Sequence, residues 1–337
     1  MSVIYVREQG AYIKISGEKI VVTKGTNTLL QVPLFQLEHM SLFGNVQITS
    51  QAMARILEKG IDISYFSYGG RYIGHTCAQE SRNIFLRLGQ YEIYNDFSKR
   101  IQFARIIVKN KIENQMHLIA NYRWSSDYDW KRDVEQMGRC KATLEEKDSV
   151  GNLMGVEGFC SNIYFGAFSK MLKGRIEFKS RNRRPPRDPI NAILSLAYTF
   201  LTRDMCNFLE SESFETYLGF LHGVKYGRKS LALDMIEEFR QPVVDQLVLY
   251  LFNKRILTEL DFQSQSDGVF LDKDGFAKFC KEYEKWMHGK ENYRLKMKQQ
   301  VLKLKKAIQY GEIYKPYRKK AGENKEKDEK EYELICD

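Results

Sequence analysis

The hydrophobic periodicity of this chain changes once, near Ser81, and that change limits the folds open to it. Upstream, short β-prone runs alternate with turn residues. Val3-Ile4-Tyr5-Val6 reads as a strand, and Tyr12-Ile13-Lys14-Ile15 leads through Ser16-Gly17-Glu18 to Ile20-Val21-Val22. Two such runs about a glycine turn predict a hairpin. Leu29 to Leu42 adds strand, punctuated by Pro33. Gln51 to Lys59 places Met53, Ile56 and Leu57 at helical spacing and stops at Gly60. Ile61 to Tyr68 and Tyr72-Ile73 return to strand around Gly69-Gly70.

Downstream, Ile93, Phe97, Ile101, Ala104, Ile107, Val108, Ile112 and Met116 recur at three- and four-residue steps, which predicts one long amphipathic helix. Asp188 followed by Pro189 marks a capped entry into a helix over Ile190 to Leu209. Helical patterning runs on to Tyr310, and Asn292 to Tyr310 is rich in lysine. The expected architecture is α+β with two domains. A small β-rich domain over 1–82 precedes a larger all-α domain over 83–310 that carries the chemistry. The charged tail, 311–337, is expected to be disordered because Gly322 to Glu333 offers almost nothing apolar to bury.

Hydrophobic residues make up 43% of the 337 and are spread throughout. No apolar run approaches the roughly twenty residues that span a bilayer, and Met1 to Arg7 lacks the pattern of a signal peptide. The expectation is a cytoplasmic protein that makes no use of membranes. Six scattered cysteines without a C-x-x-C pair argue against a zinc cluster or a disulfide framework. The net charge is +10, and before Gly311 there are 46 basic against 35 acidic residues. That excess suits a polyanionic partner, nucleic acid first.

The candidates for chemistry concentrate between Leu218 and Arg240. His222 ends an apolar run, twelve residues before Asp234 and fifteen before Glu237. An imidazole and carboxylates at one point can hold a divalent metal; a hydrogen-bonded core histidine and a solvated acidic helix face account for the same residues. Projected along a helix, Glu237 aligns with Val244, Val248 and Leu251, and Glu238 with Gln241 and Asp245. This makes Glu237 the buried carboxylate and Glu238 a solvated one, with Pro242 able to bend the projection. Glu157 shares a helix face with Tyr164, but spacing alone favours a first-turn glutamate stabilised by the helix dipole.

Between these acidic positions lies a basic loop. Lys173, Arg175, Lys179, Arg181, Arg183, Arg184 and Arg187 face Glu177 alone, and Pro185-Pro186 stiffens its exit. Arginines on a stiff loop can hold phosphates bidentately. No phosphate-cradling glycine loop of the Walker type and no Gly-x-Ser-x-Gly elbow is present in the sequence.

Taken in order, these blocks resemble the CRISPR-associated adaptation endonucleases, or spacer integrases. Leu42-Phe43-Gly44 with Ile48-Thr49, and Gly70 to Gly74, look like the family's β-domain. Leu86-Arg87, Gln90-Tyr91, Ala104-Arg105 and Lys111 to Gln115 resemble the start of its helical domain. Glu157, Pro185 to Ala192, Gly219 to His222 and Ser230 to Arg240 resemble its active-site blocks. The resemblance stops near Tyr310. It implies that Glu157, His222 and Glu237 bind Mg2+ or Mn2+, with Asp234 assisting; the expected DNA contacts are those of the basic loop itself, Lys173, Arg175, Arg181, Arg183, Arg184 and Arg187.

The implied reaction is phosphodiester transesterification, which inserts captured foreign DNA into a CRISPR array in antiviral defence. The implied partners are double-stranded DNA, a second copy in a homodimer joined partly through the β-domain, and a small ferredoxin-like second adaptation protein in a heterohexamer. Two other readings stay open from the sequence. One is a metal-dependent nuclease on branched repair intermediates; the other is a non-catalytic DNA-binding scaffold.

Overall fold

The computed structural model describes residues 2–76, 83–124, 128–174, 176–182, 185–265 and 268–319. A β-rich N-terminal region precedes a mainly helical one, as the change in periodicity predicts. The described chain falls into two compact units, one of residues 2–76 with 272–285, the other of 83–271 with 286–319.

The first unit holds two four-stranded sheets. In one, β2 (Tyr12–Ser16), β3 (Lys19–Lys24) and β4 (Asn27–Pro33) are antiparallel neighbours, and β6 (Gln47–Ile48) joins β2 in parallel. Gly17 adopts φ +60° in the β2–β3 turn, a conformation that costs a glycine little. In the other, β1 (Ser2–Val6), β5 (Leu37–Phe43), β7 (Ile63–Phe66) and β8 (Tyr72–Thr76) lie in that order. The first two pairings are parallel and the last antiparallel. Ile13, Ile20, Val22, Leu30, Val32, Met40, Leu42 and Ile63 meet in one core with Ile56 of α1 (Ser50–Glu58).

Strand β5 is buried almost along its whole length, as a central strand covered on both faces must be. On its far side Phe43 stacks on Phe66 and meets Phe276 edge-on, with ring centroids 4.6 and 4.9 Å apart. Phe276 belongs to a helix over Lys273–His288, so a segment distant in sequence completes this unit.

In the second unit the predicted long helix is two helices, α2 (Ile84–Asn95) and α3 (Phe97–Asn121). Asp96 breaks the run by capping α3, its carboxylate accepting from Lys99 N at 3.1 Å. Then come α4 (Trp130–Ala142), α5 (Val150–Met171), α6 (Pro189–Ser211), α7 (Ser230–Ile236) and α8 (Gln246–Asn253). Lys273–His288 is α9, and Tyr293–Tyr310 is α10. The hairpin β9 (Phe262–Gln265) and β10 (Gly268–Leu271) interrupts what the sequence presents as unbroken helix.

Asp188 caps α6 and Pro189 opens it, as predicted. A π-helical segment, Arg240–Asp245, precedes α8 and contains Pro242. Segment 311–319 lies in this unit, where Tyr314 is buried. Among the described residues no helix is long and apolar enough to cross a membrane.

Candidate functional site

Asp234 organises the loop that presents His222. Its carboxylate is fully buried on α7 and accepts from the backbone N–H groups of Phe220 (2.6 Å), Leu221 and His222 (both 2.9 Å). The imidazole Nδ1 of His222 lies 2.7 Å from Asp234 Oδ1. Because a carboxylate accepts, Nδ1 carries a proton, so that in the neutral tautomer Nε2 is the nitrogen with the lone pair. The loop reaches this carboxylate because position 219 is glycine. A Cβ on Gly219 would fall 2.7 Å from the Ser230 carbonyl carbon and 2.8 Å from His222 O.

Glu157 lies in the interior of α5, about two turns beyond its Ser149 cap, not in a first turn. The dipole reading of this residue is thereby corrected: its partners are side chains. It accepts from Ser161 Oγ at 2.9 Å and pairs with the Lys111 ammonium. The same ammonium lies 2.9 Å from Oε2 of Glu237. Two carboxylates eighty positions apart are thus joined through one lysine on α3. Arg240 Nε lies 3.2 Å from Glu237 Oε2 and provides a second cation. Burial alone would push the Glu237 carboxyl up, but Arg240, Lys111 and His222 together hold it down at about 2.

Behind Arg240 stands an apolar-walled polar knot. The guanidinium lies 4.8 Å over the Tyr198 ring. Tyr198 and Tyr164 both donate their hydroxyls to Asp245, Tyr164 at 2.6 Å. Burial pushes the Asp245 carboxyl up to about 6, against the lowering effect of both tyrosine hydrogen bonds and of Arg240 and Arg181.

Glu238 is a correction to the helical projection: it is fully buried, not solvated. The chain leaves α-helical geometry after Ile236, so projecting a regular helix past that point fails. Tyr314 donates its hydroxyl to Glu238, and Tyr317 N donates at 2.7 Å. Burial pushes the Glu238 carboxyl up to about 7, with these hydrogen bonds and Lys303 opposing. Tyr317 also stacks on Phe239, ring centroids 5.1 Å apart.

Glu157 and Glu237 meet at Lys111, and His222 acts electrostatically on Glu237; two carboxylates and an imidazole suit a hard divalent cation in kind. The buried Glu237 Oε2 is met only by cations, the Lys111 ammonium at 2.9 Å and Arg240 Nε at 3.2 Å, among the described residues. Yet no three His, Cys, Asp or Glu side chains among the described residues converge closely enough to hold a metal ion. Lys111 occupies the space between the carboxylates. The donor set fits in kind, and a metal ion would require this ammonium to move aside.

Of the expected DNA contacts, Lys173 and Arg187 are exposed. Arg181 is turned inward instead. It donates to Asn191 Oδ1 at 2.8 Å and to Ser195 Oγ at 3.1 Å, and lies 5.6 Å over the Tyr198 ring. Arg175, Arg183 and Arg184 lie outside the described residues. Asn191, to which sequence assigned no role, is buried and ties the loop together. It accepts from Asn182 N at 3.0 Å and donates to Ser180 O at 2.9 Å. Lys111 and Arg240 were missed as site residues. Lys111 had a signal: it interrupts the apolar stripe of Ala104, Ile107 and Leu118 at helical spacing, where a charge needs partners.

A β-rich unit followed by a helical unit, with Glu157, Glu237 and Lys111 clustered in the latter, defines a class of α+β protein with a buried acidic centre. The family model for CRISPR associated protein Cas1 matches residues 4–285. The chain is 34% identical over 297 residues to CRISPR-associated endonuclease Cas1 3 of Thermus thermophilus, covering 88% of this chain and 86% of that protein. Its fold resembles a CAS1 protein from Thermotoga maritima (TM-score 0.82, 26% identity, covering 94% of this chain and all of that one). It also resembles a casposase bound to integration product (TM-score 0.81, 20% identity, 93% and 92% covered), a likeness of fold alone. The chain belongs to the Cas1 family.

Proposed function

We propose that this protein is a metal-dependent DNA endonuclease and integrase that joins captured DNA fragments to a CRISPR repeat. The observation that carries the reading is the meeting of Glu157 and Glu237 at Lys111, beside a histidine whose tautomer Asp234 fixes. Glu157, His222 Nε2 and Glu237 would hold Mg2+ or Mn2+, which supplies Lewis-acid polarisation of the scissile phosphate. The 3′-hydroxyl of the fragment gives up its proton as it forms a new P–O bond, and the P–O bond to the repeat strand's 3′-oxygen breaks, that oxygen taking up a proton in turn. One phosphodiester replaces another, so no covalent protein intermediate is needed. Water in place of the 3′-hydroxyl turns the same reaction into hydrolysis.

Asp234 positions the imidazole, and Arg240 offsets the negative charge that gathers as the phosphate is attacked. Exposed Lys173 and Arg187 would hold the DNA backbone near the site. The working assembly is proposed to be a homodimer, joined through the β-rich unit and bridged by a small ferredoxin-like second adaptation protein.

The test mixes purified protein, that partner, a 3′-hydroxyl DNA fragment and a supercoiled repeat plasmid with Mg2+ or Mn2+. Joined product is expected, and Glu157→Ala or His222→Ala should lower its yield at least a hundredfold. Parent-like joining by either variant would reject the assignment. Faster turnover of branched junctions than of repeat joining would favour a repair nuclease. Binding with no metal-dependent product would leave a scaffold.

A further inference from the structure

We infer that a basic groove on the helical unit is a second DNA-backbone site, distinct from the acidic centre. The groove, a cavity of about 740 Å³, lies between α3, α10 and segment 311–319. Lys109 lines it from α3, Lys296 and Lys303 from α10, and Lys315 and Arg318 from the closing segment. No carboxylate is among its described lining residues. Five cations from three stretches of chain thus line one concavity, an arrangement that suits a polyanion.

The groove is not the acidic centre seen from another side. Lys109 and Lys111 are two positions apart on α3, so they point to roughly opposite faces of the helix. Nor is it a chance surface of loose lysines. Its closing segment is anchored by Tyr314 and Tyr317 to Glu238, by Asn110 Nδ2 to Tyr317 O (3.0 Å), and by the Phe239–Tyr317 stack. The Lys296 ammonium is held 5.3 Å from the Tyr317 ring centroid. A pre-set row of ammonium groups with an aromatic floor binds sugar-phosphate backbone at little ordering cost and reads no base sequence. Lys303 and Lys315 are exposed to meet it. Lys109, Lys296 and Arg318 are paired with Glu145, Glu291 and Glu113, all outside the lining, and these pairs keep the cations in place.

This inference rests on DNA being the substrate proposed above, but not on the catalytic residues. The test is fluorescence anisotropy of a fluorescein-labelled DNA duplex with the full chain in EDTA, repeated across a salt titration. Lys303→Gln with Lys315→Gln should weaken binding roughly tenfold and lower the salt slope by about two. Because Lys303 also acts on Glu238, Lys109→Gln with Lys315→Gln gives a second arm that leaves Lys303 in place, with the same expectation. Lys14→Gln with Lys59→Gln, on the N-terminal unit, removes the same charge elsewhere. Parent-like affinity and slope in both groove variants would overturn the inference, as would an equal loss in the Lys14/Lys59 control. Saturable binding of inorganic phosphate, abolished by the groove changes while DNA affinity holds, would make this a small-anion site and overturn it too. Chelation keeps catalysis out of this measurement, so failure of the catalytic reading appears only in the joining assay.

Discussion

The Nδ1 of His222 lies 2.7 Å from Oδ1 of Asp234, and the same carboxylate receives three consecutive backbone N–H groups from the loop that carries the histidine. One buried acid therefore fixes both the path of the loop and the tautomer of the ring. Asp234 is a positioning residue, and its effect reaches the chemistry through His222.

Asp234→Asn should cost about 3 kcal/mol of stability, because the amide turns an N–H group toward donors. Metal-dependent joining should fall roughly 10–100-fold, with most of the loss in metal affinity. Denaturant unfolding and a Mn2+ titration of activity check the two parts. A variant equal to the parent in both would show that the loop holds itself.

Lys111→Ala removes the ammonium between Glu157 and Glu237. The metal-free protein should lose about 3 kcal/mol, the usual result of breaking a buried pair. Mn2+ should then raise the melting temperature of the variant more than that of the parent, since the metal no longer competes with lysine. Equal shifts in both proteins would show that Lys111 does not guard the metal position.

The pH dependence of stability follows from carboxyls shifted in opposite directions. Glu238 and Asp245 have folded pKa values raised to about 7 and about 6. The folded state binds their protons more tightly, so their contribution is full below about pH 4 and is lost as pH rises through 6 and 7. Glu237, lowered to about 2, works the other way: its contribution is present above about pH 4.5 and is lost as pH falls toward 2. Glu238→Gln should flatten the loss between pH 5 and 8, as read from thermal melts across that range. An unchanged profile would assign the dependence elsewhere.

Tyr314→Phe keeps the buried ring but removes the hydroxyl that Glu238 accepts from. A cost of about 1–3 kcal/mol is expected, and Tyr314→Ala should cost about 3–5. Urea denaturation measures both. A neutral result for Tyr314→Ala would mean that segment 311–319 contributes nothing to the fold.

Asn191→Ala should release the basic loop by removing the bonds that join Ser180, Arg181 and Asn182 to α6. Limited proteolysis within 173–187 should speed up while the melting temperature falls. Parent-like cleavage would show that Asn191 is not what ties the loop.

Much of the fold was legible because its signals are local. Alternating apolar residues around Gly17 form the β2–β3 hairpin, and Asp188-Pro189 starts α6 where a capped helix should start. The break at Asp96 was missed because apolar spacing runs through it; a capping aspartate stops the helix without interrupting the stripe. The β9–β10 hairpin was hidden in the same way. Its Gly268 packs against Pro185 and Pro186, a constraint that belongs to the basic loop and not to its own neighbours in sequence.

Sequence by itself determined the β-rich start, the mainly helical remainder, the Asp188 cap and the chemical types at Glu157, His222 and Glu237, since each depends on residues within a few turns. Tertiary structure alone decided which groups meet. It put Lys111 between two carboxylates eighty positions apart, turned Arg181 inward, buried Glu238 under Tyr314 and Tyr317, and packed Phe276 on Phe43. The reason is physical. Propensity, capping and periodicity act along the chain, whereas the partner of a buried charge is chosen by whatever distant segment closes over it and removes the water.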